Sequence, residues 1–208
     1  MQKRTTAKAK VPPTGEWIWN GYLAPGKITL LSSRRSSGKT TLLSILLAML
    51  KTGGELAGAA VKPARAYILA SESHDDWMQR IRRFRYPASM HWCLNAYFGF
   101  GGLPKWHGII DEACADEFEL LVIDPLSMII SHGIRHTDES ILATLQPLRR
   151  VTDRGAAVLV LNLAPGRSPM HDYLRPVRKA LLTDFADIAM NWDRHGRSAH
   201  PAGCGSSA

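Results

Sequence analysis

"LLSSRRSSGKTTLL", residues 30 to 43, is the stretch on which the fold turns. Gly38, Lys39 and Thr40 satisfy the second half of the phosphate-binding pattern G-x-x-x-x-G-K-[ST], while Ser33 stands where the first glycine belongs. The tripeptide alone carries little weight, because a chain of this length contains it by chance with odds on the order of 10%. Its surroundings carry more. "KITLLS" (27 to 32) reads as a strand, "KTTLLSILLAMLK" (39 to 51) as a long apolar helix closed by Gly53 and Gly54, and "RAYILAS" (65 to 71) as a second strand. In such a βαβ unit Ser33, Arg34, Arg35, Ser36, Ser37, Gly38, Lys39, Thr40 and Thr41 form a loop around an anion. Backbone N–H groups at the positive helix N-terminus face it, Lys39 reaches its terminal phosphates, and the Thr40 hydroxyl ligates Mg2+. Ser33 is a graded defect: the first glycine eases the turn leaving the strand, but Gly38 gives the backbone its closest approach to phosphate, and Gly38 is present.

Outward from this unit, strands and helices keep alternating. A helix is expected over about 74 to 86, with Trp77, Ile81 and Phe84 on one face and Asp76 set four residues before Arg80 as a favourable pair. A strand near 92 to 98 and a helix near 105 to 117, with Trp106, Ile109, Ile110 and Ala113 inward, lead into "ELLVID" (119 to 124), apolar throughout like a strand buried on both faces. Asp138 is expected to cap a helix running to about Arg154, striped by Ile141, Leu145 and Leu148 and bent by Pro147. The strand "AAVLVLN" (156 to 162) follows, and "ALLTDFADIAMNW" is expected to supply one or two closing strands. The alternation predicts an α/β fold, a mostly parallel sheet with helices on both faces.

Two acids join the loop. Asp124 ends a buried strand, where a carboxylate holds Mg2+ through water, although an aspartate before Pro125 is equally a common turn starter. Glu72 ends the strand after the phosphate-loop helix, where hydrolysis needs a carboxylate to orient and deprotonate water; a capping role beside Ser73 and Asp75 competes with that reading.

These elements in this order resemble the RecA-like P-loop ATPases. "GEWIWNGYLAPGKITLLS…SGKTTLL", "TGGELAG…ARAYILASES", "LLVIDPLSMII" and "LQPLRRVTDRGAAVLVLN" are similar to the plasmid RepA type of hexameric replicative helicase and its AAA relatives, over about residues 15 to 192. The resemblance implies a domain binding MgATP between subunits of a ring or filament, with Lys39 on the phosphates, Thr40 and Asp124 on the metal, Glu72 activating water, and single-stranded DNA as partner in replication or recombination, including that of a mobile element. Departures bear on hydrolysis more than on binding. Arg35 and Ser36 stand where relatives often carry Pro and Lys, and Asn162 takes the place of a histidine that senses the γ-phosphate. The family's R-G-S-x-A-L motif has no clean counterpart, leaving Arg175 and Arg178 of "LRPVRKAL" as the arginine-finger candidates. The alternative is a nucleotide-binding switch or DNA-binding accessory with little hydrolysis.

Composition agrees with a single module. The 208 residues, 45% hydrophobic and 21% charged, suffice for one domain with a sizeable core, expected over 15 to 192. No apolar run approaches the roughly 20 residues of a membrane span, and the basic "MQKRTTAKAK" has no apolar segment after it as a secretory signal requires, so the expected location is the cytoplasm. Cys93, Cys114 and Cys204 lie too far apart for a C-x-x-C site. The net charge of +8 is uneven: residues 1 to 10 supply +4, which makes residues 1 to 14 a basic arm without regular structure, and 193 to 208 a polar tail of the same kind. "RIRRFR" (80 to 85) reads as the solvated face of a helix rather than a nucleic-acid patch, His132 and His136 lack a third metal ligand, and Trp17 and Trp19 read as packing against the sheet edge.

Overall fold

Strands buried on both faces dominate the structure, a computed structural model that describes residues 5–9, 17–34, 36–87, 90–94, 102–126, 137–163 and 179–192. They are β1 (Thr5–Ala9), β2 (Ile28–Ser33), β3 (Gly54–Leu56), β4 (Ala59–Val61), β5 (Ala66–Ala70), β6 (His91–Leu94), β7 (Leu120–Asp124), β8 (Ala157–Leu163) and β9 (Ile188–Trp192). The helices are α1 (Lys39–Met49), α2 (His74–Phe84), α3 (Gly102–Ala115), α4 (Asp138–Asp153) and α5 (Lys179–Phe185). The main sheet has the order β1-β9-β2-β8-β7-β5-β6, parallel throughout except for β1, which runs antiparallel on β9.

Every residue of β5 and β7 is buried, as their unbroken apolar runs require. Alternation along the strands divides the interior in two. Leu31, Ile68, Ala70, Val122 and Leu161 pack with Leu42, Leu43, Leu46 and Leu47 of α1 and Trp77 of α2 on one face. Leu30, Leu69, Ile123, Val158 and Val160 pack with Trp106 and Ile110 of α3, Ile141, Leu145 and Leu148 of α4, and Leu182 of α5 on the other. The Trp106 indole donates to the Thr144 carbonyl at 2.8 Å, tying α3 to α4. Because β8 inserts between β2 and β7, the phosphate loop after β2 and the acid at the end of β7 sit two strands apart on one edge.

The structure corrects several expectations. Thr5–Ala9, assigned by sequence to an unstructured arm, pairs along β9 from Thr5 opposite Trp192 to Ala9 opposite Ile188. The segment expected to hold one or two closing strands is α5 followed by β9; Leu181, Leu182 and Phe185 lie close enough in sequence to read with either period. The hairpin β3–β4 was not foreseen, its strands being three residues each; Trp19 bridges to it at Val61, its indole donating to the Leu56 carbonyl at 3.0 Å. Thr137, not Asp138, caps α4, through a reciprocal capping box with Ser140. The expected Asp76–Arg80 pair gives way to two others: Asp76 accepts from the Ser73 hydroxyl at 2.7 Å, and Arg80 pairs with Glu72.

Candidate phosphate-binding site

Ser33 ends β2, and the chain turns sharply before α1. Ser36 and Gly38 both take left-handed backbone angles, φ 57° and 90°, and the second is where a side chain would be strained. Gly38 is the N-cap of α1, so no side chain caps that helix, and its first turn holds no acid. The first N–H groups of α1 are thereby left without an internal acceptor beside the positive end of the helix dipole.

Lys39 is 8% exposed and folds back over the loop. Its ammonium donates to the Ser33 hydroxyl at 2.8 Å, the Ser33 carbonyl at 3.2 Å and the Arg34 carbonyl at 3.3 Å. The Ser33 and Ser37 hydroxyls are 2.6 Å apart, and the Trp192 indole donates to the Ser37 carbonyl at 3.0 Å. The departure from the glycine pattern is therefore an internal ligand for the lysine. Burial holds the Lys39 ammonium below its ordinary value, with Asp124 working the other way.

Asp124, the last residue of β7, is 7% exposed. Burial, then the nearby Glu72 carboxylate, push its carboxyl up to about 6, against the opposing pull of Lys39 and Arg80. Ala70 is its register partner on β5, and Ser71 N–H donates to its carbonyl at 3.0 Å, so Glu72 emerges one strand away from it. Two cations, Lys39 and Arg80, thus face two carboxylates, Asp124 and Glu72, at one edge of the sheet. A carboxyl pushed toward neutrality by burial suits a divalent cation, whose charge restores the ionised form. Asp124 and the Thr40 hydroxyl, at the start of α1, are the residues that fit Mg2+.

Next to the loop, between α1 and α2, lies a cavity of about 490 Å3 lined in part by Thr40, Thr41, Ser44, Gln79, Arg80 and Arg83. Arg80, Ser44 and Trp192 were missed by the sequence reading. Arg80 was assigned to a solvated face, and Trp192 meets the loop across 155 residues with no motif to mark it.

Asn162 behaves otherwise. Its register partner is Ser32, and strand alternation puts both side chains with Leu30 and Val160, on the sheet face opposite Asp124 and Val122. It is 2% exposed, and Asn162 Oδ1 and Ser32 Oγ are buried without a partner among the described residues. The sensor candidate is thus not grouped with Lys39 and Asp124. Arg35, Arg175, Arg178, His132, His136 and the tail 193 to 208 lie outside the described residues.

Among the described residues no helix is long and apolar enough to cross a membrane. Among solved structures, the flagellar accessory protein FlaH from Methanocaldococcus jannaschii is similar, with a TM-score of 0.56 and 12% identity, covering 83% of this chain and 73% of that one. That likeness, with the strand order above, shows the RecA-like P-loop NTPase fold. No curated protein matches the sequence. A family model described as an AAA domain matches residues 3–162, and to that family of P-loop ATPases the chain belongs.

Proposed function

We propose that this domain binds MgATP at the β2–α1 loop and hydrolyses it slowly. The observation that carries the reading is the convergence of Lys39, Asp124 and Glu72 at one sheet edge, beside an uncapped helix N-terminus. Lys39 leaves its loop acceptors for the β- and γ-phosphates, and the first amides of α1 take phosphate oxygens. Thr40 and Asp124 hold Mg2+, which supplies neutralisation of phosphate charge. Glu72 takes the proton of a water attacking the γ-phosphorus in line, and ADP leaves. The cavity beside Thr40 and Thr41 offers room for the nucleoside.

The RepA-like sequence pattern supports a finer reading: an oligomeric, DNA-stimulated ATPase in replication or recombination, with single-stranded DNA as partner. The competing reading, a nucleotide switch with little hydrolysis, is favoured by Ser33 occupying Lys39 and by Asn162 facing away. Steady-state ATPase turnover of parent and Glu72→Gln, with and without single-stranded DNA, tests the choice. Slow turnover that falls about 100-fold in the variant, with ATP affinity kept within a fewfold, is the expected result. No turnover under either condition favours the switch.

A further inference from the structure

Glu72 sits in the short connection between β5 and α2, and its side chain is 34% exposed. A glutamate so placed has several rotamers open to it, and a base must be held in one to meet a water. Arg80 supplies the restraint. Its Nη1 donates to Glu72 Oε2 across eight residues, from the second turn of α2. The guanidinium is itself seated, with its carbon 5.0 Å from the centre of the Trp77 ring, and Trp77 is fully buried against Trp92 at 4.9 Å. Pairing through Oε2 leaves Oε1 for a second partner. Arg80 also lines the cavity shared with Thr40 and Thr41, which sets the arginine beside the start of the phosphate-loop helix.

We infer that Arg80 is the positioning residue for Glu72: the stacked guanidinium fixes one carboxylate oxygen so that the other faces the attacking water. This rests on the reading of Glu72 as the base. Trp77, Arg80 and Glu72 then form a chain of support in which a buried ring orients a cation and the cation orients the base. A lysine at position 80 keeps the charge but loses the planar group that stacks and donates in a fixed direction.

The test is a double-mutant cycle on turnover, with ATP affinity by calorimetry and thermal melting measured alongside. Arg80→Ala is expected to lower kcat about tenfold with KM within about threefold, and Arg80→Lys to recover only part of the loss. In the Glu72→Gln background, Arg80→Ala is expected to change kcat by less than about twofold, because an interaction acting through Glu72 has nothing left to position. A merely structural arginine gives instead the same factor in both backgrounds, and that result overturns the inference. So does a parental or raised kcat in Arg80→Ala while Glu72→Gln remains slow, which leaves the base assignment standing. Glu72→Gln at the parental rate, or a parent without turnover, overturns the base assignment and this inference together.

Discussion

Replacing Asp124 by asparagine should stabilise the empty protein at neutral pH and remove a pH dependence from it. The Asp124 carboxyl stands at about 6 in the folded chain against an ordinary value of 3.8. The folded form therefore holds a proton that the unfolded chain has already released, and stability falls as pH rises from about 4 to about 6 and stays low above it. That difference amounts to about 3 kcal/mol at most. Asparagine escapes it, being neutral, but loses the attraction to Lys39 and must place two amide hydrogens in a buried site. A net gain of about 1–2 kcal/mol at pH 8 is expected, or about 3–6 °C in Tm for a chain of this size. Urea unfolding of both proteins, free of nucleotide and metal, at pH 4.5 and pH 8 measures it. The advantage of the variant should vanish or reverse at pH 4.5, where the penalty on the parent has fallen to about 1 kcal/mol. Equal stability differences at the two pH values, or a variant less stable at pH 8, would refute the claim that burial governs this carboxylate. Saturating MgATP should reverse the order, since it favours the ionised side chain that only the parent has.

Ser33→Ala should tighten binding of MgADP up to about tenfold while lowering the stability of the empty protein by about 1–2 kcal/mol, because the hydroxyl accepts from Lys39 only until phosphate displaces it; weaker binding would mean that the contact persists in the complex. Trp192→Phe leaves the Ser37 carbonyl without the indole donor and should cost about 1 kcal/mol, with faster hydrogen exchange in residues 36 to 40 as the readout and unchanged exchange as the contrary result. Asn162→His should leave ATP affinity and turnover nearly unchanged if the side chain stays on the face opposite Asp124; increased stimulation by single-stranded DNA would return position 162 to a sensing role.

The elements legible in the sequence were those whose periodicity their surroundings reinforce. β5, β7 and β8 lie in the middle of the sheet, and the apolar runs at Ala66–Ala70, Leu120–Asp124 and Ala157–Leu163 are read within a residue or two. α5 and β9 were not separable, because seven residues of helix carry less than two heptads of pattern. β1 was invisible for another reason: a polar, basic edge strand takes its structure from pairing with β9, not from its own composition.

The site divides along the same line. The places of Lys39, Thr40 and Asp124 were legible, because Lys39 and Thr40 open α1 directly after β2 and its loop, and Asp124 ends the buried run of β7. The partners of those residues were not. Ser33 was legible as a departure from a pattern, yet its hydrogen bonds to Lys39 and Ser37 come from how the loop folds back, which sequence does not encode locally. Arg80 had a nearer acid in Asp76, but Ser73 engages that carboxylate as the cap of α2 and leaves the arginine to Glu72. Asn162 lies near the end of β8 as expected, while strand parity, in which one residue moves a side chain to the other face, sets it opposite Asp124 and leaves its sensing role to the Asn162→His variant.

The central claim, that the β2–α1 loop is a nucleotide phosphate site built on Lys39, is tested most directly by calorimetric titration of MgATP into the parent and Lys39→Ala. Saturable binding by the parent and at least tenfold weaker binding by the variant, about 1.4 kcal/mol or more, is the expected result. Equal affinity in the two proteins, or no binding by the parent, would contradict it.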